Sequence, residues 1–386
     1  MPYNPNYVPT DLTVTNRPQR IEGCKGLNGV ETPGGKVVVV WNVGEPDGGY
    51  GTAIHAAVLD APYQLGINSV VTADMIRDVL TLPGISDDAV IRRPSIMMLG
   101  DELVVVVTIV EYHETGTDYT LSVLVADDPE DPVSWTLRGN IWQDTSTGGA
   151  WGNPPDGGSI YQMESGRWVF SGTWVQDNSI RSGTWSSDDR GESWSSGISD
   201  TLVNDLDNLS GQYTSLQIEM HPRTGRLTFM NCHTVEAGIN PGWGPYARWY
   251  SSADGENWTY RVNDPHDGLL VYSPFVNDGI EAYALTYEGA ISTLGDQLIS
   301  VVPEPEPGSA EYNSSRWQGA TVASWPEPWP PASVPVRLSK RGMVTVDGDA
   351  YLFFNERWVT SQFLLPVERA GWIVGSIGLS ENLPEV

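Results

Sequence analysis

The sequence predicts an all-β chain, a single six-bladed β-propeller whose N-terminal strand completes the last blade. Three observations lead there. A Gly-containing turn followed by a short β-rich run recurs six times: GGKVVVVWN from Gly34, GDELVVVVTI from Gly100, SGRWVFSGTW from Ser165, TGRLTFMNC from Thr224, GDQLISVVP from Gly295 and DGDAYLFFNERW from Asp347. In four units a third strand and a second turn follow and close on tryptophan, at Trp135, Trp194, Trp258 and Trp329, which stand 59, 64 and 71 residues apart. Helical periodicity is confined to Thr72 to Leu80, the one stretch read as helix.

Taken in order, four of the units begin with a hairpin. Four of the Gly turns are preceded by a further strand-like run, SIMML, GSIYQM, TSLQIEM or GMVTV, and Gly supplies the positive φ that a tight turn needs. The third strands lie in YTLSVLVADDPEDPVSW, RSGTWSSDDRGESW, YARWYSSADGENW and WQGATVASWPEPW. A lone four-stranded unit leaves both faces wet, whereas stacking units around an axis covers them. The approximate blades are 20–80, 85–145, 155–203, 213–265, 280–332 and 335–386, with 1–19 as an N-terminal arm. The last unit runs out before a fourth strand, and the alternating run Asp11 to Thr15 (DLTVT) is expected to supply it.

Composition narrows the function. Hydrophobic residues make up 40% of the 386, enough for a core, so wholesale disorder is excluded. The longest apolar runs, Val37 to Trp41 and Leu103 to Val107, are strand length and too short to span a membrane as a helix. Forty-nine acids against 21 bases give a net charge of -28, and no basic cluster exists to engage phosphate, which argues against nucleic acid or an anionic membrane as partner. Cys24 and Cys232 show no metal-ligand spacing; buried free thiols are the favoured expectation and a disulfide between them the alternative. His55, His113, His221, His233 and His266 show no paired spacing, and no cofactor motif occurs, so neither metal nor cofactor is expected. The first residues carry neither a basic nor an apolar leader region, so no secretory signal is expected there.

The segment Ser187-Asp188-Asp189-Arg190-Gly191-Glu192-Ser193-Trp194 fits S-x-D-x-G-x-x-W and resembles the Asp box of sialidases and related propellers. Its chemistry is local: Ser187 and Asp189 bond turn amides, Gly191 permits positive φ, and Trp194 packs between strands. These residues are therefore read as structural. Ser251 to Trp258 (SSADGENW) reads as a degenerate copy, with Ala253 at the acid position and Asp254 one residue late, and Ala126 to Trp135 is looser still.

A second segment, Ile91-Arg92-Arg93-Pro94-Ser95-Ile96, resembles the sialidase x-R-x-P motif. The resemblance implies that Arg92 opens an innermost strand and binds a substrate carboxylate in an axial funnel. The bland alternative is an ion pair between Arg92 and an acid such as Glu111. A sialidase also needs two more arginines, a Tyr nucleophile with its Glu, and an Asp acid/base. Glu219 occupies the expected Glu place. The second unit, however, offers Glu111, His113 and Glu114 where Arg is due, the fourth offers Met230-Asn231-Cys232-His233, and GAISTLGDQLISVVPEP of the fifth has neither Arg nor Tyr. Sialidase activity is not expected.

Two functional classes remain. The favoured expectation is a non-catalytic recognition or structural propeller: a virion protein of a phage tail, binding host-surface glycan or neighbouring tail proteins and able to self-associate, acting outside the cell without a leader. Its ligand-binding candidates are Arg92, Trp151, Trp174, Trp243 and Trp249, mostly in or near Gly/Pro-rich connections, where indole faces can stack on sugar. Trp142 and Trp317 share that setting. The alternative is a glycoside hydrolase of altered, carboxylate-based mechanism, cytoplasmic or separately exported, with Arg92, Glu111, Asp156 and Glu219 as catalytic candidates.

Overall fold

The computed structural model describes residues 12–14, 19–22, 24–44, 50–59, 76–78, 89–146, 153–176, 179–204, 211–215, 218–221, 226–235, 246–261, 269–271, 276–277, 282–288, 297–301, 319–322, 336–346, 349–359 and 366–377. Among them there is no helix, and the strands form six antiparallel sheets.

Two short strands come first, β1 (Leu12–Val14) and β2 (Gln19–Glu22). The first sheet is β3 (Cys24–Glu31), β4 (Val37–Gly44), β5 (Tyr50–Leu59) and β6 (Ile76–Asp78), in that order. The second is β7 (Val90–Leu99), β8 (Glu102–His113), β9 (Gly116–Ala126) and β10 (Trp135–Ser146). The third is β11 (Asn153–Gln162), β12 (Trp168–Gln176), β13 (Ser179–Ser187) and β14 (Ser195–Asn204). In the fourth, β15 (Gly211–Ser215) and β16 (Glu219–His221) share the edge of β17 (Arg226–Val235), with β18 (Tyr246–Ser252) and β19 (Trp258–Arg261) beyond. In the fifth, β20 (Leu269–Val271) and β21 (Val276–Asn277) share β22 (Ala282–Glu288), followed by β23 (Gln297–Val301) and β24 (Gly319–Val322). The sixth is β25 (Val336–Val346), β26 (Asp349–Val359) and β27 (Pro366–Ile377). Both N-terminal strands join it: Leu12 to Val14 pair with Ile377 to Gly375, and Gln19 to Glu22 with Trp372 to Arg369.

Two sequence expectations are corrected. Within Thr72 to Leu80, Ile76–Asp78 is strand β6, paired with Ala57, Ala56 and His55 at the edge of the first sheet. A short i, i+3, i+4 pattern does not separate helix from strand, and here pairing to β5 decides. The run GDQLISVVP contributes β23, the third strand of its sheet rather than the second, because β22 precedes it.

Core composition follows from stacking. In β8 the run Leu103 to Val110 is buried throughout, without the alternation of a half-wet strand. Both faces are covered. Val105, Val107 and Ile109 pack with Val38, Val40, Ile54 and Ala56 of the first sheet. Val104 and Val106 pack with Leu121, Val123, Ile160, Trp168, Phe170 and Trp185, joining second sheet to third. Val169, Leu227 and Tyr250 join third to fourth. Each buried branched side chain contributes about 1.5–3 kcal/mol.

The first strands of successive sheets touch: β3 meets β7, β7 meets β11, β11 meets β15, β16 meets β21, β21 meets β25, and β25 meets β3. The contacts close into a cycle. At the opposite edges, the turn between third and fourth strands repeatedly grips the first hairpin of the preceding sheet. Glu130 accepts from Gly34 N at 2.7 Å and from Thr32 Oγ1 at 2.7 Å, while Lys36 Nζ donates to its carbonyl at 3.2 Å. Arg190 reaches Glu102 at 3.0 Å and Asp101 at 3.3 Å, and Arg138 joins Glu102 at 2.9 Å. Glu256 pairs with Arg167, which also holds Asp188 at 2.7 Å. These charged groups hold the Arg167 guanidinium above its ordinary pKa, the Asp188 bond first among them.

Candidate functional site

The strand directions give every sheet two ends. One carries the first hairpins and the third-to-fourth turns, and is termed the turn end. The other carries the starts of β7 and β11 and the β8–β9 hairpin, and is termed the open end.

At the turn end, side chains serve the backbone. Ser187 Oγ accepts from Gly191 N at 2.8 Å and donates to Asp189 Oδ1 at 2.7 Å. Asp189 accepts from Ser193 N at 2.9 Å and also from its hydroxyl, and Trp194 Nε1 donates to Gly191 O at 3.1 Å. The Ser193 hydroxyl, then its amide, holds the Asp189 carboxyl down at about 2. Gly191 adopts φ 92°, a region open to Gly at little cost.

The next sheet repeats the arrangement with one residue fewer. Ser252 Oγ accepts from Gly255 N at 2.9 Å, Asp254 accepts from Glu256 N at 2.9 Å and Asn257 N at 2.7 Å, and Trp258 Nε1 donates to Gly255 O at 3.1 Å. Asp254 is therefore in register with Ser252, not one residue late. The deletion falls where Arg190 stands in the longer turn, and Ser251 bonds Thr259 at 3.1 Å instead. The Asn257 amide side chain leads the groups that hold the Asp254 carboxyl well below the usual range. In the second sheet, Asp127 Oδ1 accepts from Ser134 N at 3.0 Å and Val133 N at 3.2 Å.

The open end gathers most of the polar candidates. Arg92 lies in β7 opposite Thr108, about midway along β8, and Asp156 lies in β11 opposite Thr173, about midway along β12. Their strands touch. Glu219 is placed differently: it pairs with Thr228, the third residue of β17, close to the turn end. Glu111 stands directly opposite Asp118, and His113 Nε2 lies 3.1 Å from Asp118 Oδ2. By alternation Glu111 shares its face with Val107 and Ile109, the side away from Thr108. Glu114 is exposed in the β8–β9 turn.

Among the aromatic candidates, Trp174 is 5% exposed and joins the core between second and third sheets, its ring 5.2 Å from Trp185. Gly183 makes room for it: a Cβ there would meet the Trp174 ring at 2.9 Å. Trp249 lies in β18 opposite Met230 and Arg261. Trp151 and Trp243 lie outside the described residues. Cys24 belongs to the first sheet and Cys232 to the fourth. No group of three His, Cys, Asp or Glu side chains among the described residues is placed to hold a metal ion. Asp118 and Tyr112 were not singled out from sequence. Tyr112 is 66% exposed at the end of β8, and the signal available for both was the strict pairing of the β8–β9 hairpin.

Comparison with solved structures decides the architecture. The chain is similar to the Penicillium chrysogenum α-L-arabinanase complexed with arabinobiose, with a TM-score of 0.53 at 10% identity over 93% of this chain and 98% of that one. The fold is an all-β propeller. The propeller is also similar to the GH93 α-L-arabinofuranosidase of Fusarium graminearum with arabinobiose, at TM-score 0.53 and 11% identity over 92% and 97% of the two chains. It is similar to NanB in complex with Optactamide, at TM-score 0.54 and 8% identity over 92% and 68%. No protein-family model matches the sequence, and neither does any curated protein. The comparisons lend the virion expectation no support.

Proposed function

We propose that the chain is a six-bladed glycoside hydrolase that cleaves a neutral glycan at the open end of the propeller, around Arg92 and Asp156. The observation that carries this reading is the placement of those two residues in the opening halves of touching first strands, away from the end given over to structural turns. The cycle of contacts among six sheets supports the blade number, and pairing of β1 with β27 supports closure by the N-terminal strand. The similarity to arabinan-directed structures supports the reaction class.

The chemistry requires a proton donor to the leaving oxygen and a second carboxylate as base or nucleophile. Asp156 is assigned one role, and Glu111 and its cross-strand neighbour Asp118, acids at the same end, are the candidates for the other. Arg92 orients the sugar through its fork of donors. Neutral substrate follows from charge: one arginine at this position does not clamp a carboxylate, and -28 charges repel polyanions. The test is release of reducing sugar from arabinan, xylan, galactan and β-glucan. Asp156→Asn or Arg92→Ala is expected to lower the rate at least about 100-fold. Binding without release by the wild-type chain would instead establish the recognition reading, which the exposed Tyr112 also serves.

A further inference from the structure

Resting on that glycan-directed reading, we infer that the second sheet carries a separate subsite for a neutral sugar chain, formed by Tyr112, Tyr119, Trp142 and Asp144 on the face turned toward the third sheet. Register places them together. Val104 and Val106 face the third sheet, and alternation along β8 carries that face through Thr108 and Val110 to Tyr112. Tyr119 stands opposite Val110, Asp144 opposite Tyr119, and Trp142 opposite Leu121, which belongs to the same core face. Four side chains from three adjacent strands therefore share one surface at the open end. On the facing side of the third sheet stand Trp174 and its cross-strand partner Arg181.

The chemistry of this face fits a sugar. Tyr112 is the most exposed large apolar side chain among the described residues, while Tyr119 and Trp142 are half-buried, and Trp142 is braced against the core. Aromatic rings held this way present flat apolar faces to sugar C–H groups, at small entropic cost to the protein. The half-buried Asp144 carboxylate accepts hydrogen bonds from hydroxyls along the same track. Adjacent strands lie about 4.8 Å apart, so the track from β8 to β10 spans about 10 Å, room for a disaccharide. It runs outward from β7, the strand of Arg92, and so receives the part of a chain that extends away from the cleavage point.

The experiment is calorimetric titration of the full chain with linear arabino-, xylo- and gluco-oligosaccharides. Tyr112→Ala and Asp144→Asn are each expected to weaken binding about three- to tenfold. Val133→Ser, an exposed substitution at the turn end, is expected to leave it unchanged. Unaltered affinity in both open-end variants overturns the subsite, and sugar release by the wild-type chain then leaves the hydrolase reading standing. Binding that depends on Tyr112 without any sugar release supports the subsite and overturns the hydrolase. Absence of binding to every neutral oligosaccharide overturns the subsite.

Discussion

Asp189 is an exposed carboxylate with every nearby donor trained on it, the Ser193 amide and hydroxyl and the Ser187 hydroxyl. Those bonds exist to the ionised form, and they lower its pKa from 3.8 to about 2. A depressed carboxylate stabilises the fold above its unfolded pKa and stops doing so as pH falls through the folded value. The stability difference between wild type and Asp189→Asn is thus expected to be full above about pH 4 and to shrink toward pH 2. Thermal melts across that window measure it, and a difference independent of pH would show that the carboxylate's charge plays no part. The same scale explains what composition hides. Of the candidate tryptophans, Trp174 is a core residue because Gly183 across the ladder leaves a slot for its ring. Nothing in the segment VFSGTW, which ends at Trp174, separates a slot of that kind from a loop contact.

Between elements, the third-to-fourth turn of one sheet docks on the sheet before it, and glycine makes the approach feasible. A Cβ on Gly139 in β10 would lie 2.3 Å from Gly191 O and 2.6 Å from Glu192 O. Both obstacles are backbone, in a turn already fixed by Ser187 and Asp189. Gly139→Ala is expected to cost about 1–3 kcal/mol, read as a lower urea midpoint at unchanged slope. A loss below about 0.5 kcal/mol would mean that the turn yields freely. Much at this scale was legible in the sequence. The S-x-D-x-G-x-x-W turn and, among the described residues, the hairpin glycines Gly35, Gly100 and Gly166 fall where their chemistry puts them. The shortened Ser252 turn was misaligned because the side chains were matched at fixed spacing, whereas the bonds tolerate loss of a residue after the acid. The Tyr112, Tyr119, Trp142 and Asp144 face was not legible at all. It depends on the register of three strands, and a bulge between Asn140 and Trp142 decides which way Trp142 turns.

At the scale of the molecule, six sheets join through their first strands, and the sixth draws on both ends of the chain. Removing residues 1–18 deletes β1 and bares the edge of β27 from Gly375 to Ile377, leaving β2 on Arg369 to Trp372. A fall in melting temperature of at least about 5 °C is expected. An unchanged melt would show that the pairing contributes nothing to closure. The pairing also sets an order of events. β1 leaves the ribosome 365 residues ahead of its partner, as Leu12 pairs with Ile377. At about 5–20 residues per second, the wait is roughly 20–70 s. Throughout that interval five sheets can assemble locally, while the sixth waits for a contact between remote parts of the chain. Closure is thus the long-range step of folding, and refolding of the whole chain should be governed by it rather than by any hairpin.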